Sequence, residues 1–173
     1  MGYCGGTLKD PTYHNLGDHT ESIQVDYDPS KMTFDQILDR VWVSHNPCGS
    51  SWSSQYMSAI FYDGEAQKKA ILASKARLEE KLGKPVKTAV LPLGKFYLAE
   101  DYHQKYELRN TAELMKEFAS IYPDGKDFVN STAATRVNSY IGGSGTKEQL
   151  KAEIDLLGLT GEGKKVLQKY VTR

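Results

Sequence analysis

Three features of the sequence predict an α/β or α+β two-layer sandwich with a helical C-terminal extension, not an all-helical protein. Segments near residues 21, 57 and 86 carry short β-type apolar runs. Stretches with a 3.6-residue apolar repeat separate them. Beyond Asn110 only helical patterns remain.

Residues 1 to 20 are rich in Gly, Asp, Asn, Pro and His and read as loop. A strand is expected from Glu21 to Tyr27, where Ile23, Val25 and Tyr27 alternate with polar residues and put Ile23 and Val25 on the core side. Asp28-Pro29-Ser30 turns the chain. Thr33 is suited to cap a helix with Phe34, Ile37, Leu38, Val41 and Trp42 on one face. That helix should stop near Asn46-Pro47, because a residue before proline avoids helical angles. After a Gly/Ser stretch, Met57 to Tyr62 reads as a second strand. Glu65 to Leu82 is the strongest helix; Gly83 ends it and Pro85 prevents its return. Val86 to Leu91 reads as a third strand, and Phe96 to Arg109 as an aromatic turn that becomes a polar helix.

Helices are then expected over residues 111–122, 131–141, 147–157 and 161–170, separated by Pro123-Asp124-Gly125 and Gly142-Gly143-Ser144-Gly145, with Thr146 as a cap. These observations divide the chain into a domain of residues 1–109 and a helical extension of residues 110–173. So short and glycine-broken an extension is not expected to stand alone.

Composition limits the function classes. Lys+Arg and Asp+Glu both number 22, so there is no basic excess of the kind that a nucleic-acid or anionic-membrane partner selects. No apolar stretch approaches the roughly 20 residues of a membrane helix. Met1-Gly2-Tyr3-Cys4-Gly5-Gly6 lacks the basic start and apolar core of a secretory signal. Two cysteines, Cys4 and Cys48, are too few for a disulfide scaffold, so a reducing, cytoplasmic setting is the expectation.

No Cys-x-x-Cys or His-x-x-x-His spacing supports a metal site, and no glycine-rich phosphate loop supports a nucleotide, so no cofactor is expected. Eleven tyrosines are more informative. Tyr3, Tyr13, Tyr56, Tyr97, Tyr102 and Tyr106 lie in polar or loop surroundings. Each could simply bury a ring and leave its hydroxyl wet; together they could form a pocket whose hydroxyls hold a polar oxygen beside an apolar group. Glu21 opens a strand, where a carboxyl is normally solvated; under aromatic cover it would become a proton donor. Cys4, among glycines, is expected to be exposed, and Cys48 follows a helix and a proline. Both are candidate thiols, with an incidental free thiol as the plainer reading of each.

A series of ordered blocks resembles the A-type peptide methionine sulfoxide reductases. Gly2-Tyr3-Cys4-Gly5-Gly6, Asp10-Pro11-Thr12-Tyr13 and Gly17-Asp18-His19-Thr20-Glu21 are similar to the family's Gly-Tyr-x-Gly-Gly, Asn-Pro-Thr-Tyr and Gly-His-x-Glu. Tyr27-Asp28-Pro29 with His45-Asn46-Pro47, Gln55 to Ile60, and Phe96 to Tyr106 continue the likeness. The resemblance implies a two-layer sandwich and a thiol enzyme that returns methionine-S-sulfoxide, free or in proteins, to methionine during repair of oxidative damage. A cysteine thiolate attacks the sulfoxide sulfur and becomes a sulfenic acid, a second thiol forms a disulfide, and thioredoxin reduces it. By motif position Glu21, Tyr13 and Tyr56 match the residues that bind the sulfoxide oxygen.

The family's Gly-Cys-Phe-Trp nucleophile motif lies upstream of the block at Gly2, so these residues are expected to lack the nucleophile. Between His45 and Gln55 the family carries an aspartate, whereas this sequence reads Cys48-Gly49-Ser50-Ser51-Trp52-Ser53-Ser54. The extension holds no resolving cysteine. Two expectations follow: a reductase of methionine-S-sulfoxide, or a non-catalytic relative that binds oxidised methionine or a protein partner.

Overall fold

The computed structural model describes residues 1 to 171, and the chain divides into two compact units, Met1–Ala99 and the residues from Glu100 on. In chain order the first unit carries β1 (Gly2–Cys4), β2 (Thr20–Ser22), α1 (Phe34–Val43), β3 (Ala59–Tyr62), α2 (Gly64–Leu82), β4 (Ala89–Pro92) and β5 (Tyr97–Leu98). The fold is mixed α/β, with small sheets and many helices.

β1 is the middle strand of an antiparallel sheet, with β2 on one side and β5 on the other. Residues 1–20 therefore hold a strand where only loop was expected. Three residues are too few to display an alternation, and Gly2 is there because its Cα abuts the Tyr97 backbone and the Phe96 ring, leaving no room for a Cβ. The strand expected from Glu21 to Tyr27 shrinks to Thr20–Ser22. Antiparallel register sets Gly2 opposite Ser22, so within this chain residues past Ser22 have Met1 alone to face. Ile23 and Val25, expected on the core side, are 77% and 56% exposed.

β3 and β4 form a parallel pair, Ala59 opposite Ala89 through Tyr62 opposite Pro92, joined by α2 as the crossover. α1 and α2 pack through a core of Leu38, Trp42, Ile71 and Val86, bordered by Phe34, Ile60, Leu78 and Val90. Inside it the Trp42 indole N–H donates to Ser74 Oγ at 2.7 Å, which satisfies two otherwise stranded polar groups. Thr33 caps α1 in a capping box with Gln36, and Gly83 ends α2 at φ 65, as the residue types predict.

The segment from Gly5 to His19 is tied at its neck. Asp18 accepts hydrogen bonds from the Thr7 N–H (2.8 Å), the Thr7 hydroxyl (3.0 Å) and the Leu8 N–H (3.3 Å). His19, fully buried, contacts the Gly6 N–H through Nδ1 (3.2 Å) and the Leu8 carbonyl through Nε2 (2.8 Å). An amide N–H only donates and a carbonyl only accepts, so the proton sits on Nε2. The approach is close enough to demand glycine: a Cβ on Gly6 would stand 2.5 Å from Asp18 Oδ1 and 2.6 Å from the His19 nitrogen.

The second unit carries a 3-10 turn (Asp101–His103), α3 (Tyr106–Arg109), α4 (Ala112–Ile121), α5 (Gly125–Asn130), α6 (Thr132–Ile141), α7 (Lys147–Glu153), a further 3-10 turn (Ile154–Leu156) and α8 (Gly161–Val171). Its core includes Leu108, Leu114, Phe118, Phe128, Val137, Leu150 and Leu167. The helix expected toward Arg109 is one turn long, because Lys105 takes a left-handed φ of 54 just before it. β5 replaces the start of the expected aromatic turn. α5 forms where a turn was expected: Asp124 caps it by accepting from the Lys126 and Asp127 N–H groups, and Phe128 is buried in the core. Thr146 forms a capping box with Gln149, as anticipated. Glu117 on α4 accepts from the Thr160 N–H (2.8 Å) and hydroxyl (2.6 Å) at the start of α8.

Two stability experiments follow from these contacts. Asp18 is held down at about 2 by the Thr7 N–H first, then by the Thr7 hydroxyl. A lowered folded value means the stabilisation is complete above the ordinary value of 3.8 and is lost as pH falls through about 2. Thermal melts should show an acid decline between those limits that Asp18→Asn flattens; an unchanged decline would place its cause elsewhere. The second concerns Gly163, whose Cβ, if present, would stand 2.5 Å from Glu117 Oε2. Alanine should gain up to about 1 kcal/mol from helix propensity, yet Gly163→Ala is expected to lower Tm by roughly 2–6 °C because the Glu117 carboxylate, though at the end of a flexible side chain, would have to leave its two bonds to Thr160. A raised Tm would show that the contact yields freely.

Candidate functional site

The sheet register decides where each candidate residue points. Residues directly opposite in an antiparallel pair project on one face, and neighbours alternate. Glu21 faces Tyr3, so these two share a face; Cys4 faces Thr20, so they share the other. Tyr3 is fully buried and packs with Leu16 and Ala99, and Tyr13, Tyr97 and Met1 border that cluster. Tyr13 thus reaches Glu21's side of the sheet from the tied segment between β1 and β2.

Tyr56 arrives from a different loop. The Glu21 N–H donates to the Gln55 carbonyl at 2.9 Å, the Thr20 hydroxyl donates to the Ser54 carbonyl at 2.9 Å, and these bonds fasten residues 54–55 along the edge of β2. The serines of the stretch 49–58 brace the rest. Ser51 Oγ accepts from the Ser58 N–H (2.9 Å), Ser53 Oγ from the Tyr56 N–H (3.3 Å), and Ser50 Oγ from Lys87 Nζ (2.9 Å).

Glu21, Gln55, Tyr56 and Tyr13 are linked, in that order, in one chain of hydrogen bonds. Gln55 Nε2 donates to Glu21 Oε1 at 2.7 Å and to the Tyr56 hydroxyl at 3.1 Å. The Tyr56 hydroxyl also bonds to that of Tyr13. That bond first, then withdrawal from water and the nearby Tyr13 and Glu21 charges, raises the Tyr56 phenol above its ordinary value. A raised phenol remains a donor through neutral and mildly alkaline pH. Two phenols and a carboxyl side by side can place several donors around one small, strongly accepting oxygen. Gln55 escaped the choice of site residues; its place directly before Tyr56 in the matched block is the signal that could have found it.

The thiols stand apart from this group. Cys4, expected to be exposed, is 1% exposed, because β1 is the central strand. Its S–H donates to Ser22 Oγ at 3.3 Å, and burial pushes the thiol up, only partly offset by that bond. It lies on the opposite face of the sheet from Glu21. Cys48 is half-buried against the α1–α2 core, with its N–H on Asn46 Oδ1 at 3.2 Å. His45 has a structural place too: Nδ1 meets the Val41 carbonyl and Nε2 the Thr88 hydroxyl, both at 2.8 Å. Tyr97 packs edge-on against His19, with ring centres 5.4 Å apart. Tyr102 and Tyr106 are exposed side chains of the second unit. Among the described residues no three His, Cys, Asp or Glu side chains converge as metal ligands, and no helix is long and apolar enough to cross a membrane.

Residues 1–136 match the family model described as peptide methionine sulfoxide reductase, a span that runs from β1 into α6. A peptide methionine sulfoxide reductase of Drosophila melanogaster is 38% identical over 162 residues, covering 92% of this chain and 65% of the relative. The A5 reductase of Oryza sativa subsp. japonica is 32% identical over 170 residues, covering 93% of this chain and 66% of the relative. A shorter relative named MsrA, from Methanococcoides burtonii, is 43% identical over 117 residues, covering 61% of this chain and 76% of its own length. The chain thus spans just under two thirds of the fly and rice proteins. With the ordered blocks of the first unit inside the matched span, this chain belongs to the peptide methionine sulfoxide reductase family.

Proposed function

We propose that this chain serves the reduction of methionine-S-sulfoxide, free or in proteins, to methionine, and that Glu21, Tyr13 and Tyr56 bind the sulfoxide oxygen. The chain of hydrogen bonds that brings two phenols and a carboxyl together, Glu21 to Gln55 to Tyr56 to Tyr13, carries the reading. The two-layer sandwich that the likeness implies is part of the same proposal.

A sulfoxide sulfur is a poor electrophile until its oxygen receives a proton or strong hydrogen bonds. Phenols supply such hydrogen bonds without placing a net charge beside the apolar substituents, and a carboxyl beside them is the one group there that can pass on a proton when it carries one. A thiolate then attacks the sulfur and the S–O bond breaks. Overall the oxygen passes to the thiol sulfur as a sulfenic acid, the sulfoxide sulfur gains two electrons, and the thiol sulfur loses two. A second thiol displaces water from the sulfenic acid to give a disulfide, and thioredoxin is the reductant that the likeness implies.

The second reading, a non-catalytic binder of oxidised methionine, draws on the placement of the thiols. Cys4 is buried on the wrong face of the sheet, and Cys48 is packed against the α1–α2 core. On the proposed reading these residues carry the oxygen-binding side of the reaction, and the attacking thiol is neither Cys4 nor Cys48.

The test is calorimetric binding of N-acetyl-methionine-S-sulfoxide methylamide, together with its reduction by dithiothreitol. Tyr13→Phe, Tyr56→Phe and Glu21→Ala should each weaken binding roughly 3- to 10-fold, the scale of one lost neutral hydrogen bond. Turnover above the dithiothreitol background should be absent from the chain, and from Cys4→Ser and Cys48→Ser. Turnover that disappears in either cysteine variant would overturn the placement of the nucleophile. Failure of the unsubstituted chain to bind would overturn the site.

A further inference from the structure

Trp52 stands in the loop segment between His45 and Gln55, and it is 83% exposed. Scattered exposed apolar side chains are ordinary on a protein surface. Two observations set this one apart. Its ring centre lies 5.5 Å from that of Tyr56, with the planes inclined by 43°, so it borders the side chain whose hydroxyl belongs to the oxygen-binding group. Its loop is also braced on both sides, by Ser51 on the Ser58 N–H and by Ser53 on the Tyr56 N–H. The bracing holds the loop on either side of Trp52, so part of the ordering that binding would otherwise cost is already in place in the chain that carries the indole.

We infer that Trp52 is a substrate-binding residue whose indole covers a carbon substituent of the sulfoxide held at Tyr56, an inference that rests on the oxygen-binding reading above. A sulfoxide sulfur carries two carbon groups besides its oxygen. With the oxygen within about 2.7 Å of the Tyr56 hydroxyl, those carbons come close enough to Tyr56 for an indole beside its ring to reach one of them. The sulfur is electron-poor, so hydrogens on the attached carbons carry partial positive charge, and the face of an indole is electron-rich. The polar half of the ligand thus meets Tyr13, Tyr56 and Glu21 while its apolar half meets Trp52. The ligand class is an alkyl sulfoxide with a flexible apolar arm, as in a methionine sulfoxide residue.

The chain reports on this directly. Trp42 is its other tryptophan, buried with its N–H on Ser74, so an emission change on ligand binding belongs to Trp52. Titration with N-acetyl-methionine-S-sulfoxide methylamide should shift emission to shorter wavelength as the indole loses water. Trp52→Phe should abolish the shift and keep most of the affinity. Trp52→Ala should weaken binding roughly 3- to 10-fold, the range of sulfur–aromatic contacts. Calorimetry on the same samples separates the two ways of failing. Binding that Tyr56→Phe weakens, with no emission change and an unaltered Kd in Trp52→Ala, overturns the role of Trp52 alone. Absence of binding to the unsubstituted chain overturns the oxygen site and this inference with it.

Discussion

Buried between Gly6 and Leu8, the His19 ring accepts an N–H at one nitrogen and donates to a carbonyl through the other, while Asp18 beside it gathers the Thr7 and Leu8 N–H groups. Together they close the neck of the segment between β1 and β2. A free loop of about a dozen residues would keep many conformations and surrender them only at an entropic cost. Tyr13 rides on that segment, and Glu21 follows His19 by two residues. The closed neck also fixes the register that sets Glu21 opposite Tyr3. A slip by one residue would turn Glu21 to the face that Cys4 now occupies. Glycine at position 6 is a condition of all this, since a Cβ there would collide with Asp18 and the His19 backbone.

How far the sequence discloses the fold depends on where the stabilising interactions lie. Thr33 with Gln36, Thr146 with Gln149, and Gly83 before Pro85 act within a few residues of themselves, and each marks a helix end that the structure contains. β1 and β5 hold three and two residues and exist because of partners far along the chain, so no periodicity announces them. The alternation at Ile23, Val25 and Tyr27 was the opposite case. The pattern was present, but a strand needs a neighbour, and the β1 register supplies none past Ser22 within this chain. Phe128 shows a third cause: its burial in the second unit's core, with Asp124 as cap, turns an apparent turn into a helix. The candidate site divides in the same way. Glu21, Tyr13 and Tyr56 were legible from motif position, while their linkage through Gln55 and the burial of Cys4 needed the sheet.

The donor group is assembled from separate pieces of chain: Glu21 from a strand edge, Tyr13 from the tied segment, and Gln55 and Tyr56 from the serine-braced loop. Each piece is anchored through its backbone or by a short side chain, so the functional side chains are not needed to hold their own supports. Gln55 is the exception, because one amide group bonds both the carboxyl and a phenol. An amide suits this place: it donates without ionising, so it spaces Glu21 and Tyr56 without adding charge.

The same sheet that gathers the donors excludes Cys4 from them. Successive residues of β1 face opposite ways, so once Tyr3 fills the core on Glu21's side, Cys4 must point to the other. Its burial favours the neutral thiol, and the bond to Ser22 uses the thiol as a donor, the arrangement of a packed side chain and not of an attacking thiolate. Moving the sulfur to Glu21's side would require a register shift, and that shift would carry Glu21 away at the same time. Cys4 and Glu21 are therefore mutually exclusive on one face. For as long as Glu21 and Tyr3 share theirs, the Cys4 thiol faces away from the Glu21 carboxyl and the phenols linked to it.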